Sequence, residues 1–233
     1  MAMSFIWSLV HACREGMLCY SWLMSKVDEQ FLNEGACALA KRMVDAWPFE
    51  RLPGFGEGFD LDWTHLYCAR SECWYHDSLI NALMMTLAEN FKNNTTLFLP
   101  PLYTPAPSKC KRIPPRTLSL VAAADKDLVF MPLNINGKHW VCLVLDRPRT
   151  TIYCYDSFDK RSNQIMLAEL AEEIGRKALS DSDNCGLFII LHFWRRFVKE
   201  MGSDYTTVGL LRRRWDVLRT VVDFSDASKG EQD

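Results

Sequence analysis

Three short apolar runs in the middle of the chain constrain its fold more than any other feature of the sequence. They are DLVFMPLN (127–134), HWVCLVLD (139–146) and TIYCYDSF (151–158). The connecting segments INGK and RPRT are rich in residues that favour turns. Apolar runs of this length, bounded by short turns, predict antiparallel strands joined in succession. The sequence therefore predicts a small central sheet.

Helical patterns lie on both sides of these strands. Ser162 is a candidate N-cap for the helix that follows the sheet. The predicted helices are two within residues 1–47, separated near Ser25–Glu29, then 76–91, 162–179, a helix from near Cys185 to about Met201, and 206–224. Helices gathered around a small antiparallel or mixed sheet indicate the α+β class.

Two segments lack a packing period and predict loops. PFERLPGFGEGFD (48–60) holds two prolines and three glycines, and a second proline-rich stretch runs from Pro100 to Pro115. We therefore expect a helical extension and linker over residues 1–59, one folded domain over 60–224 and a disordered tail over 225–233.

Composition excludes several classes of function. The net charge of −2 and the pI near 6.2 argue against a nucleic-acid partner, and the run Arg212–Arg214 is interpreted as a solvated helix face. No apolar run reaches the roughly 18–20 residues that span a bilayer, so no membrane partner is expected. Nine cysteines, an odd number at scattered spacings, favour free thiols and a location in the nucleus or cytoplasm.

Cys185 stands where the polar run SDSDN gives way to an apolar helical pattern. A thiol in the first turn of a helix faces unsatisfied backbone N–H groups and the positive end of the helix dipole, which both favour the thiolate. Gly186 would let another backbone approach closely. On this segment alone, a buried cysteine that packs under the helix explains the pattern equally well.

A cysteine nucleophile needs a base, and the base needs a group that orients it. His139 begins the second predicted strand and Asp156 ends the neighbouring strand TIYCYD. In an antiparallel pair the start of one strand lies near the end of the next, so we expect His139 and Asp156 to be neighbours. A turn histidine and a strand-terminating aspartate are the simpler explanations of each residue taken alone.

Four motifs in this order resemble the Ulp-type, or sentrin-specific, cysteine protease family. The resemblance covers roughly residues 60–200. The matching pairs are Trp74 with Asp77 in CWYHDSLINALM, His139 with Trp140, Asp156 with Ser157, and Cys185 with Gly186 in DNCGLFI.

This resemblance implies a papain-like fold and a thiol protease that removes a ubiquitin-like modifier. Cys185 would be the nucleophile, His139 the general base and acid, and Asp156 its orienting group. Trp74 and Trp140 would wall a narrow tunnel for the Gly-Gly tail of the modifier, with Asp77 in the same motif. The implied partner is SUMO-like, and no cofactor is implied.

The chain departs from the family in the segment before Cys185. Family members carry a glutamine shortly before the cysteine that helps to bind the oxyanion, whereas positions 179–184 contain none and Asn184 replaces the usual aspartate. The loss of one oxyanion donor typically costs about 10²- to 10³-fold in rate. An inactive domain that only binds a modifier is therefore an alternative. A third alternative is a cysteine acyltransferase with an acyl-CoA site near 109–116.

A metal site is the remaining alternative for one cluster of residues. His65, Cys68, Cys73 and His76 are four possible zinc ligands within a short segment. Trp74 and Asp77 interleave with them, and the gap between the two cysteines is short for a zinc finger. We therefore predict no metal at this cluster.

Overall fold

The computed structural model describes residues 2–32, 34–56, 59–90, 95–99, 126–135, 138–146, 148–149, 151–158, 160–172, 194 and 206–230. The helices are α1 (Ala2–Trp22), a π-helical segment (Leu23–Val27), α2 (Asp28–Gln30), α3 (Ala36–Asp45), α4 (Trp63–Leu66) with a 3₁₀ turn (Tyr67–Ala69), α5 (Asp77–Asn90), α6 (Arg161–Glu172) and α7 (Thr207–Gly230). The strands are β1 (Thr96–Phe98), β2 (Leu128–Ile135), β3 (His139–Asp146) and β4 (Thr151–Asp156).

The four strands form one mixed sheet in the order β1-β2-β3-β4. β2, β3 and β4 are antiparallel neighbours, as the sequence predicted, and β1 adds a parallel edge that it did not predict. β1 has only three residues, too few to show an alternating pattern. The α+β class with a small mixed sheet flanked by helices is confirmed.

The sheet is buried on both faces in β3. Val141 and Leu143 lie on one face, in a core with side chains of β2, β4 and α6, and Trp140 and Cys142 lie on the other. The two faces alternate along the strand because successive side chains point to opposite sides. Burial on both faces explains why β3 is apolar at almost every position rather than at every second one.

The N-terminal helical segment continues where the sequence predicted a break. We expected a separation near Ser25–Glu29, but the π-helical segment joins α1 directly to α2. Leu23 and Val27 are both fully buried, and continued helix keeps the two on the same side of the chain. The break lies instead before α3, where Gly35 adopts a left-handed conformation with φ of +84°.

The last helix is longer than predicted. The sequence predicted a disordered tail from residue 225, whereas α7 continues to Gly230. Ser225 is fully buried, and the carboxylate of Asp226 forms a two-fold ion pair with Arg42 of α3. These tertiary contacts extend the helix past the last strongly apolar residue.

The start of α6 also differs from the prediction. α6 begins at Arg161, so Ser162 lies in its first turn rather than at its N-cap.

The interpretation of Arg212–Arg214 as a solvated face is wrong. Arg214 is only 4% exposed, and Arg212 forms an ion pair with Glu34. Arg212 and Arg213 also contact Asp216 on their own helix. The three guanidinium groups are therefore buried or paired with carboxylates of the same chain.

The chain divides into two compact units. One contains Met1–Thr86 and Ser203–Asp233, and the other contains Leu87–Gly202. Residues 1–59, predicted to be an extension, thus share a unit with α4, most of α5 and α7. Within the described residues, no helix has the length and apolar character to span a bilayer.

Candidate active site

His139 and Asp156 form a buried pair at one edge of the sheet. His139 is the first residue of β3 and Asp156 the last of β4, and the ladder pairs Asp156 with Val141. His139 and Val141 lie on the same face, so the imidazole extends along that face to the carboxylate. Nε2 of His139 lies 2.5 Å from Oδ1 of Asp156, and the two residues are 4% and 1% exposed. The structure thus brings together the two residues that the hairpin spacing predicted to be neighbours.

Asp156 is held as a carboxylate despite its burial. Burial acts to raise its pKa, but hydrogen bonds from His139, from the backbone N–H of Phe158 and from Asn163 outweigh it and lower the pKa. The Phe158 N–H lies 2.8 Å from Oδ1. A carboxylate at Nε2 favours the tautomer that carries its proton there. Nδ1 is then the ring nitrogen that can accept a proton from a thiol.

Phe158 is a site residue that sequence analysis missed. Its ring centroid lies 4.2 Å from that of His139, so the phenyl group packs directly against the imidazole. Nζ of Lys160 lies 4.3 Å from the centroid of the same phenyl ring. Phe158 therefore orients both members of the pair, the imidazole through its side chain and the carboxylate through its backbone. The only signal in the sequence was an aromatic residue two positions after Asp156.

Trp140 and Ser157, the second members of their motifs, are both buried. Trp140 is 5% exposed and lies on the opposite face of the sheet from His139. Ser157 is 6% exposed, and its hydroxyl makes no hydrogen bond to another residue in the described ranges. Trp140 therefore does not share the face of the sheet that carries His139.

Trp74 and Asp77 lie in the other compact unit. Trp74 is 52% exposed, close to the value for Trp47, whereas Trp140 is buried. Asp77 is the first residue of α5 and accepts hydrogen bonds from the N–H of Ser78 at 2.9 Å and from Nδ1 of His76 at 2.8 Å. The bond from His76 is the main cause of the lowered pKa of Asp77. The carboxylate thus has partners on both sides of it in the chain, His76 before it and Ser78 after it.

Three of the four possible zinc ligands, His65, Cys68 and His76, have other partners. His65 and His76 face each other with centroids 5.0 Å apart, and each pairs with a neighbouring aspartate. Cys68 accepts a hydrogen bond from the N–H of His76 at 3.1 Å, and burial raises the pKa of its thiol to about 12. Across the described residues, no three His, Cys, Asp or Glu side chains are arranged to hold a metal ion.

Two of the predicted site residues lie outside the described residues, and two further cysteines are buried in strands. Cys185 and Gly186 lie outside the described residues, so the assignment of Cys185 as nucleophile and of Gly186 beside it stays a prediction. Cys142 and Cys154, predicted to be packed in strands, are buried at 2% and 1% exposure. Burial strongly raises the pKa of Cys142, which keeps this thiol protonated and unreactive.

Part of the chain that contains these residues matches a known protein family. Residues 74–185 match the model of the Ulp1 protease family, C-terminal catalytic domain. The match begins at Trp74, ends at Cys185, and contains His139 and Asp156. No curated protein matches the chain significantly.

Solved structures show the same fold. The C-terminal Ulp1 protease domain in complex with Smt3, the yeast ortholog of SUMO, superposes with a TM-score of 0.63 at 15% identity, over 82% of this chain and 96% of that one. The SUMO protease Ulp1 with its catalytic cysteine oxidised to a sulfonic acid gives a TM-score of 0.58 at 14% identity, over 84% and 97%. At this identity the likeness establishes the fold, and the predicted protease fold is confirmed.

Proposed function

We propose that this chain is an Ulp-type cysteine peptidase that cleaves after the C-terminal Gly-Gly of a ubiquitin-like modifier, because residues 74–185 match the Ulp1 protease family, C-terminal catalytic domain. The observation that carries the proposal is the contact between His139 and Asp156, with Nε2 and Oδ1 2.5 Å apart at a buried sheet edge. A histidine held in this way is a general base whose tautomer is already set.

In the first half of the reaction, Nδ1 of His139 takes the proton from the thiol of Cys185. The thiolate attacks the carbonyl carbon of the terminal glycine, and a tetrahedral intermediate forms. The imidazolium then gives its proton to the departing amine as the C–N bond breaks, which leaves a thioester between the modifier and Cys185. Asp156 stabilises the imidazolium while it exists.

In the second half, His139 acts on water. Nδ1 accepts a proton from a water molecule, whose oxygen attacks the thioester carbonyl. Collapse of the second tetrahedral intermediate breaks the C–S bond, and the proton returns to the sulfur. The products are a modifier with a free C-terminal carboxylate and a regenerated thiol, so no cofactor is required.

The proposed substrate class follows from the motif around Trp74. Half of this indole is exposed, which leaves an aromatic surface for a ligand. A tail of two glycines has no side chains to clash with a flat aromatic surface, so such a surface selects against bulkier tails. We assign Trp74 to the Gly-Gly tail and propose a SUMO-like modifier as the partner.

The decisive experiment is covalent labelling with modifiers that end in a thiol-reactive electrophile. SUMO, NEDD8-like and ubiquitin probes are incubated with the wild-type protein, with Cys185→Ala and with Cys13→Ala. Cys13 is exposed, so its variant controls for nonspecific alkylation. We expect one probe to label wild type and Cys13→Ala but not Cys185→Ala. Absence of Cys185-dependent labelling with all three probes contradicts a peptidase.

The second candidate is an inactive domain that binds a modifier without cleaving it. The absence of a glutamine at positions 179–184 supports it, because this removes a usual donor to the oxyanion. This candidate predicts binding of a modifier by wild type and Cys185→Ala with equal affinity, no turnover, and weaker binding by Trp74→Ala. Hydrolysis of a modifier fused through its C-terminus to a fluorophore distinguishes the two candidates.

A further inference from the structure

Arg214 makes an unusual set of contacts deep in the helical unit. Its residue is 4% exposed, and its guanidinium donates to three backbone carbonyl groups. Nη1 lies 2.6 Å from the carbonyl oxygen of Arg70 and 3.3 Å from that of Ala69, and Nη2 lies 3.2 Å from that of Cys73. A buried charge is tolerated only when such bonds replace water. One side chain of α7 therefore holds the turn over residues 69–73.

The same guanidinium also contacts the residue after Trp74. Cζ of Arg214 lies 5.0 Å from the ring centroid of Tyr75, in cation–π geometry, and Tyr75 is only 4% exposed. Arg214 thus binds the residues on both sides of Trp74, the Cys73 carbonyl on one side and the Tyr75 ring on the other.

The turn between these contacts is strained. Glu72 has a φ of +62°, the one non-glycine residue with positive φ among the described residues. A left-handed conformation is unfavourable at such a residue and persists only when surrounding contacts impose it. The bonds from Arg214 to Arg70 and Cys73 lie on both sides of Glu72 and supply that constraint.

Trp74 depends on this turn for its position. Its indole is half exposed, so side-chain packing fixes it less than it fixes the buried Tyr75. We propose that Arg214 is a positioning residue for Trp74 and, through it, a determinant of affinity for the Gly-Gly tail of the modifier. The second part of this inference rests on the proposed function.

The first test measures the position of Trp74 without any ligand. The protein is labelled with 5-fluorotryptophan, and the ¹⁹F resonance of Trp74 is assigned by its loss in Trp74→Phe. We expect Arg214→Lys to shift or broaden this resonance, because one ammonium group cannot bond three carbonyls and stack on Tyr75. Arg219→Lys is the matched control, since Arg219 lies on the same helix and pairs with Glu34 and Asp223. An unchanged Trp74 resonance in folded Arg214→Lys overturns the positioning role.

The second test measures affinity in the Cys185→Ala background, which prevents turnover. We expect Arg214→Lys to weaken binding of a SUMO-like modifier about tenfold, and to have no effect on a modifier that lacks its Gly-Gly tail. In a Trp74→Ala background, Arg214→Lys should cause no further loss, because both changes act on one contact. An equal loss in the presence and absence of Trp74 overturns the link to the tail.

The two tests separate failure of this inference from failure of the proposed function. If no modifier binds wild type, the proposed function is contradicted while the ¹⁹F measurement still decides the role of Arg214. If a modifier binds and the Trp74 resonance is insensitive to Arg214→Lys, the inference alone is contradicted. Circular dichroism of each variant checks that it is folded. If Arg214→Lys does not fold, Arg214→Gln, which keeps an uncharged hydrogen-bond donor, replaces it in both tests.

Discussion

The carboxylate of Asp156 contacts the imidazole of His139 although the sheet pairs Asp156 with Val141. The offset of two positions places His139 beyond the end of β4, so the imidazole reaches Oδ1 along the sheet edge and not straight across the ladder. In the proposed reaction, Nδ1, the ring nitrogen that does not contact Asp156, accepts the proton of the nucleophile.

The first prediction concerns the charge of Asp156. Asp156→Asn keeps the shape of the side chain but removes the charge that stabilises an imidazolium, so we expect kcat to fall about 10²- to 10⁴-fold with little change in KM. Asp146→Asn is the control, since Asp146 is a buried aspartate at the end of β3 that pairs with Arg149. Steady-state hydrolysis of a modifier fusion measures both variants. Equal kcat in wild type and Asp156→Asn rules out the proposed role.

Acid stability gives a second prediction. The pKa of Asp156 is lower in the folded protein than its ordinary value near 3.9. Its stabilising contribution is therefore present above about pH 4 and is lost as the pH falls through the folded pKa. We expect the free energy of unfolding of wild type to fall more steeply from about pH 5 to pH 2 than that of Asp156→Asn. Urea unfolding at several pH values measures both slopes, and Asp60→Asn, at a side chain 81% exposed, should follow wild type.

Phe158 provides a third prediction. Phe158→Ala removes the ring 4.2 Å from His139 but leaves the backbone N–H that bonds Asp156. We expect kcat to fall roughly tenfold, in line with a loss of orientation, and Phe158→Leu to recover most of it. Lys160→Gln removes the cation above the phenyl ring and should leave kcat within about twofold, because its contact is exposed to solvent screening. An unchanged kcat in Phe158→Ala contradicts an orienting role.

The nine cysteines should differ widely in reactivity. Burial raises the pKa of the Cys19 and Cys68 thiols to about 12, and raises that of Cys142 further. Iodoacetamide at about pH 7.5 should therefore modify exposed Cys13 in the native protein and spare these three. If Cys185 is a nucleophile activated by His139, it should react faster than Cys13, and His139→Ala should abolish that difference. Peptide mass spectrometry at several times reads each rate separately.

The end of α7 can be tested through a pair of glycines. Gly54 and Gly56 both have positive φ, +97° and +76°, so alanine at either costs roughly 1–2 kcal/mol. A Cβ at Gly54 would also collide with Ser228, whereas one at Gly56 meets open space. We expect Gly54→Ala to lower the melting temperature clearly more than Gly56→Ala. Equal effects would contradict the close approach of Ser228 to Gly54.

The sequence was sufficient to predict the parts of the fold that depend on local pattern. β2, β3 and β4 are apolar runs between turn-forming segments, and the hairpin between β3 and β4 brought His139 near Asp156. The three-residue β1 had no period to detect. The continuation of the helix through Leu23–Val27 and to Gly230 depends on tertiary burial, which sequence propensity does not contain.

The site residues that sequence analysis missed owe their roles to three-dimensional contacts. Phe158 is close to His139 because the chain turns after β4, and Arg214 reaches residues 69–75 from a helix more than a hundred positions away. A run of three arginines has the composition of a solvated surface, and nothing local distinguishes the member that is buried. Such residues become visible only when the partners of each polar atom are known.

The alternation of side chains along β3 determines how substitutions and insertions in this strand would act. His139 and Trp140 are adjacent in the chain but occupy opposite sides of the sheet, so each can be substituted without crowding the other. Inserting or deleting one residue within β3 would exchange the faces of His139 and Trp140. The buried side chains along the rest of the strand would also point to the wrong face of the sheet. A change of this kind in β3 would therefore separate the imidazole of His139 from the carboxylate of Asp156 even though neither residue had been substituted.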